Sequence, residues 1–321
     1  MASTDDDAAA AGIEIWRGGV NTWECDEMGH LNVRFYVAKA MEGLAGLAAE
    51  LGMPHAFAPH AAATLVVREH HVRFLREARP GAFLVMRGGV LSLSDTEAEL
   101  LQVLYHAASG EPCASFVTKV RHASPGDGRA FPWPKRAAAA AESLKVALPP
   151  LAGSRSISNA PATVVASGAE AERLGLTRIA KVPVTPRNCD VFGRMVPEEF
   201  IGRVSDGIGA LVAPLRQAVA EATRASPART GGAVLEYRIL YLDYARSGDH
   251  IEIRSGLAGV DARTQRFGHW LLDPVSGRAL AVAEAVAVNF DLDARKALPI
   301  SEAVQAAFAP HLRPQLRLCI S

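Results

Sequence analysis

Residues 25 to 36 read Cys-Asp-Glu-Met-Gly-His-Leu-Asn-Val-Arg-Phe-Tyr. A carboxylate (Asp26), an imidazole (His30) and a carboxamide (Asn32) stand around Gly29, just ahead of an apolar helical stretch. These groups suit attack on an acyl carbonyl. Asp26 can attack directly or take the proton of an attacking water. His30 can donate to the carbonyl or the leaving group, or orient the water, and Asn32 can position either partner without titrating. A helix start offers unpaired amide N–H groups and a positive dipole end, which can hold a developing oxyanion. Gly29 lets backbone and acyl group approach closely. Read alone, Asp26 is also a favoured helix cap.

The elements that must position this motif occur twice. Val20, Cys25, Asp26 and Gly29 recur as Val184, Cys189, Asp190 and Gly193, an offset of 164 (189 − 25). Glu69, Gly81, Arg87 and Ser109-Gly110 recur as Glu236, Gly248, Arg254 and Ser276-Gly277, an offset of 167 (277 − 110). Such a period fits a duplicated domain rather than a solenoid. We place the copies at 13–123 and 180–292, with a connection at 124–179 rich in Pro, Ala, Gly and Ser and a tail at 293–321.

Each copy predicts a first strand (13–23; 179–187), the motif, a helix and four strands. In the second copy Phe200, Val204, Ile208, Leu211 and Leu215 form an apolar stripe; in the first, Phe35, Ala38, Met41, Ala45 and Ala48 do so. Gly43 and Gly207 each cost ~1 kcal/mol within a helix, which predicts a strand packed closely there. The strands fall at 64–76, 83–93, 97–106 and 112–121, then at 233–244, 250–260, 264–272 and 279–290. Pro-Gly and Ser-Gly turns separate them. One helix followed by a meander gives an α+β fold, an antiparallel sheet wrapped around a long helix. The connection is long enough for the copies to pair as an intramolecular pseudo-dimer.

The second motif has Arg194 where the first has His30, and Val196-Pro197 where it has Asn32-Val33. Two of three polar groups are lost, so this copy is expected to be catalytically silent. Arg194, Glu199 and Asp206 remain as groups that can reach substrate.

Lys+Arg and Asp+Glu both number 34 in 321 residues, a balance that argues against general nucleic-acid binding. The acidic start (Asp5, Asp6, Asp7) lacks the features of a secretory signal, and apolar runs are too short to span a bilayer. Cys25, Cys113, Cys189 and Cys319 form no C-x-x-C pair. A cytoplasmic protein without membrane span is expected. His70 and His71 point to opposite faces of one strand and cannot share a metal; no metal or cofactor is expected. No Gly-x-Ser-x-Gly elbow occurs.

Asp-x-x-Gly-His-x-Asn before an aromatic helix start resembles the 4-hydroxybenzoyl-CoA thioesterase-like group of hotdog enzymes, which includes acyl-ACP and acyl-CoA thioesterases. Val72-Arg73-Phe74-Leu75 with Pro80-Gly81, and Tyr105-His106 with Ser109-Gly110-Glu111, resemble that group's central strands. The resemblance covers both copies. It implies two fused hotdog domains and hydrolysis of an acyl thioester of CoA or acyl carrier protein, with Asp26 as catalytic carboxylate beside His30 and Asn32. Gly29, Tyr36, Arg194 and Glu199 would line the substrate, and Arg73, Arg76, Arg79 and Arg87 can hold CoA phosphates or face solvent. In plant acyl-ACP thioesterases an Asn would fall at Met28, so this chain departs from them there. The resemblance also implies that the pseudo-dimer can associate as a homodimer. Two other readings stay open: a hotdog enoyl-thioester hydratase or dehydratase, whose Asp-to-His spacing differs, and a non-catalytic acyl-CoA-binding module.

Overall fold

The computed structural model describes residues 11–223, 230–291 and 296–319; the acidic stretch Asp5, Asp6 and Asp7 lies outside them. Two compact units appear: Met1–Gly153 with Cys189–Ile201, and Ser154–Asn188 with Gly202–Ser321. The second motif is thus grouped with the first unit.

The first unit contains β1 (Ile13–Gly19), α1 (Val33–Glu50), β2 (Thr64–Phe74), β3 (Phe83–Leu93), β4 (Glu97–His106), β5 (Pro112–Ala123) and α2 (Lys135–Ser143). Its strands lie antiparallel in the order β1-β3-β4-β5-β2. The other unit contains α3 (Gly168–Arg173) and β6 (Thr177–Pro183), and then α4 (Pro197–Gly207), whose first turn belongs to the first unit. It continues with α5 (Gly209–Thr223), β7 (Thr230–Tyr241), β8 (His250–Val260), β9 (Gln265–Leu272), β10 (Ala279–Asp291) and α6 (Glu302–Phe308). Here the order is β7-β10-β9-β8-β6, the same pattern read from the opposite edge.

The buried face of α1 is not the expected stripe. Val37, Ala40, Leu44 and Leu47 are fully buried, whereas Ala45 is exposed and Phe35, Ala38 and Met41 are partly so. Apolar residues surround nearly the whole helix, so spacing alone does not choose the face. Strands pack closely at the expected place, Gly43, and again one turn further on. A Cβ on Gly46 would lie 2.0 Å from the Ile15 carbonyl oxygen, while one on Gly43 would meet the Met86 sulfur. In the second copy Gly207 makes the expected contact, with a Cβ there falling 2.2 Å from the Ile179 carbonyl oxygen. The expected single helix of that copy is broken at Ile208, between Gly207 and Gly209. Leu211 and Val212 N–H both return to the Ile208 carbonyl to restart it.

The duplication continues through segments read from the sequence as connection and tail. α2 starts at 135 and α6 at 302, again 167 apart. Lys145 bridges Val90 in parallel, and Leu312 bridges Leu257, at the same offset. Gly89 and Gly256 leave room for these straps: a Cβ would come within 2.6 Å of Val146 Cγ1 and 2.8 Å of Leu316 Cδ1.

Candidate active site

The Asp26 loop is a tight turn whose geometry the sequence dictates. Gly29 N–H returns to the Asp26 carbonyl at 3.0 Å with Gly29 at φ +74°, a conformation that other L-residues rarely adopt. Asp26 Oδ1 accepts from Met28 N–H at 2.9 Å and His30 N–H at 3.1 Å. One carboxylate oxygen is therefore spent on the loop, and the helix cap that Asp26 could have supplied is Asn32 instead. Among the described residues Oδ2 accepts from none, and the residue is half-buried.

Asn32 caps α1, its Oδ1 accepting from Arg34 N–H at 3.0 Å. Leu31 and Asn32 N–H go to Ala78 and Glu24 carbonyls. Within 28–36 this leaves Val33 N–H, at the positive end of α1, without an acceptor among the described residues. It is the backbone donor suited to an oxyanion. Beneath the loop a buried Lys39–Glu24 pair at 2.7 Å is completed by Asn21, whose N–H donates to Glu24 Oε2 at 2.7 Å.

His30 points to a residue that sequence reasoning missed. Its Nε2 lies 2.9 Å from Glu77 Oε2 and 3.2 Å from Arg79 Nη2. Glu77 sits in the loop between β2 and β3, 47 residues away, with no local motif to announce it. The Tyr36 hydroxyl positions that loop, donating to the Arg76 carbonyl at 3.3 Å and accepting from Ala78 N–H at 3.2 Å. Tyr36 is buried, and burial pushes its phenol well above the usual range. Its hydroxyl is thus engaged with the backbone on either side of Glu77.

The second motif repeats the backbone turn and closes it. Asp190 Oδ1 accepts from Phe192 and Arg194 N–H, both at 2.9 Å, and Gly193 has φ +74°. Here Oδ2 is engaged, accepting from Arg194 Nε at 3.0 Å. Arg194 is buried, with its guanidinium over the Phe192 ring. Glu199 also has a partner, Arg34 Nη2 at 3.1 Å. Asp206 lies in the other unit, 3.8 Å from Arg203.

The four candidate phosphate-holding arginines divide. Arg73 donates to the Pro150 and Gly153 carbonyls and Arg87 to that of Gly12. Arg76 and Arg79 remain more than half exposed, each with a glutamate partner. His70 and His71 are both buried in β2. Among the described residues no three His, Cys, Asp or Glu side chains group as a metal site. No described helix is long and apolar enough to cross a membrane.

Two sheet-and-helix repeats, with a carboxylate loop ahead of each helix, define a double hotdog fold. The sequence profile of the thioesterase-like superfamily matches residues 20–141 and 184–308, and the chain belongs to that family. No curated protein matches it significantly. Among solved structures it is similar to a candidate oleoyl thioesterase from Lactobacillus plantarum (TM-score 0.64, 13% identity, covering 87% of this chain and 97% of that one). An acyl-ACP thioesterase from Bacteroides thetaiotaomicron is also similar (0.61, 8%, 85% and 96%). A third is the 12:0-ACP thioesterase from Umbellularia californica (0.60, 10%, 89% and 97%). At these identities the likeness speaks for the fold.

Proposed function

We propose that this chain hydrolyses an acyl thioester carried on CoA or on an acyl carrier protein, with Asp26 as the catalytic carboxylate. The observation that carries this reading is the contrast between the two loops. Asp26 keeps Oδ2 unengaged in the loop that leads to the unspent amide of α1, while Arg194 occupies the matching oxygen of Asp190. Asp26 attacks the acyl carbon or takes a proton from water that does so. Val33 N–H faces the developing oxyanion, and His30, held by Glu77, orients the water or the leaving sulfur. Asn32 fixes the start of α1. The second motif is silent, and Arg194 and Glu199 act as supports around the site. The carrier-protein arm of this range is supported by the names of two similar structures.

The test is thiol release across a panel of acyl-CoA and acyl-carrier thioesters. Wild type should turn over at least one, and Asp26→Ala should lower kcat by about 10²–10⁴. Binding without turnover would instead support an acyl-CoA-binding module, and hydration of an enoyl thioester the hydratase reading. A single turnover in heavy-oxygen water, followed by a search for label in Asp26, separates direct attack from activation of water.

A further inference from the structure

A second group of ionisable residues lies on another face of α1, and neither the catalytic motif nor its partners account for it. Arg34, two residues after the Asn32 cap, pairs with Glu199 in the first turn of α4 at 3.1 Å. The neighbouring Glu198 is largely buried, and its Oε2 has no hydrogen-bond partner among the described residues. Arg34 Nε is likewise buried without an acceptor. The charged groups facing Glu198 are Glu199 on its own helix and Arg34 and Glu42 on α1. A buried carboxyl oxygen without a donor, beside two further glutamates and one guanidinium already paired with Glu199, favours a proton on Glu198. Glu199 already has its cation, and Trp16 Nε1–H donates to Glu42. Burial, helped by the charges of Glu199 and Glu42, pushes this carboxyl up to about 7 against a hydrogen bond from its own backbone and the charge of Arg34.

We infer that Glu198 is a positioning residue of the proposed thioesterase: neutral, it keeps the Arg34–Glu199 brace at the start of α1, and its ionisation switches activity down. The direction follows from charge. An ionised Glu198 adds a negative charge beside the first turn of α1, the end that has to hold the oxyanion. It also competes with Glu199 for Arg34, whose unspent Nε is the donor at hand. Because Arg34 N–H is the group capped by Asn32, any shift of Arg34 bears on the turn that presents Val33 N–H.

This inference rests on the thioesterase reading, and the experiment separates the two. The profile of kcat against pH is measured from 5.5 to 9 for wild type, Glu198→Gln and Glu198→Asp on one acyl-CoA substrate of the panel. Wild type should lose about ten-fold in kcat for each pH unit above 7, with little change in KM. Glu198→Gln, which keeps the shape without the charge, should lack that decline. Glu198→Asp should retain a decline with a shifted midpoint. A flat wild-type profile, or an equal decline in Glu198→Gln, overturns the inference while leaving the thioesterase reading intact. Thermal melting needs no substrate: Glu198→Gln should melt above wild type at pH 8 and with it at pH 4.5. Equal melting at both pH values overturns the neutral Glu198 even if no thioester is hydrolysed; failure of turnover with the melting gap present overturns the thioesterase reading, and the activity switch with it, while the neutral Glu198 stands.

Discussion

Asp26 and Asp190 hold one backbone turn and differ in the fate of a single oxygen. In the second copy Arg194 Nε takes Oδ2, converting a carboxylate that could react into half of an ion pair. In the first, the residue at the same place is His30, whose ring turns toward Glu77 instead. The imidazole is held through Nε2, so Glu77 sets its orientation, and Tyr36 sets the position of Glu77 through the Arg76–Ala78 backbone. We therefore expect Glu77→Gln to lower kcat about ten- to a hundred-fold with KM nearly unchanged, the pattern of an interaction made in the transition state. Steady-state thiol release measures both constants. A kcat equal to wild type would remove Glu77 from the site.

Glycines decide how the elements fit, and they do so for two different reasons. Gly46 and Gly207 let β1 and β6 lie against the helices, with no room for a Cβ beside a rigid backbone carbonyl. Gly46→Ala should cost about 3 kcal/mol or more, since the strand itself must move. Gly29 has open space around a Cβ but a positive φ, so Gly29→Ala should cost only about 1–2 kcal/mol. Urea unfolding of the two variants checks that order; a Gly29→Ala cost exceeding that of Gly46→Ala would refute it. The same contrast explains what was legible in the sequence. β3, β4 and β8 begin and end where turn signals and apolar runs predict, because those signals are local. The Asp26 turn and its glycine are local too, although the cap of α1 fell to Asn32 rather than Asp26. The buried face of α1 was not legible, because an apolar helix offers no contrast. Nor were the straps, whose role depends on Gly89 and Gly256 far away in the chain. Glu77 and Glu198 lay beyond reach for the same reason: their character comes from His30, Arg34 and Glu42 across the fold.

At the scale of the whole molecule, buried titratable groups give the two units different responses to acid. His70 in β2 and His269 in β9 are both driven down to about 3 by burial. Below 6.5 the unfolded chain takes protons that these folded imidazoles refuse, so each costs stability progressively as pH falls from 6.5 toward 3. At pH 5 that amounts to about 2 kcal/mol per histidine. Glu198 works in the opposite sense, since its folded carboxyl, raised to about 7, binds a proton that the unfolded chain releases above 4.5. Its penalty is full above 7 and fades as pH falls to 4.5. Glu198 and His70 belong to the same unit, so between 6.5 and 4.5 their slopes nearly cancel; His269, in the other, has no such counterweight among these three groups. Amide hydrogen exchange at pH 7 and pH 5, corrected for intrinsic rates, should therefore show protection falling in β8, β9 and β10 while β3, β4 and β5 hold theirs. His269→Asn, which keeps a polar partner for Ser255, should flatten the acid loss in the second unit. Equal loss of protection in both units, or an unchanged slope in His269→Asn, would show that the two imidazoles do not govern the acid limit.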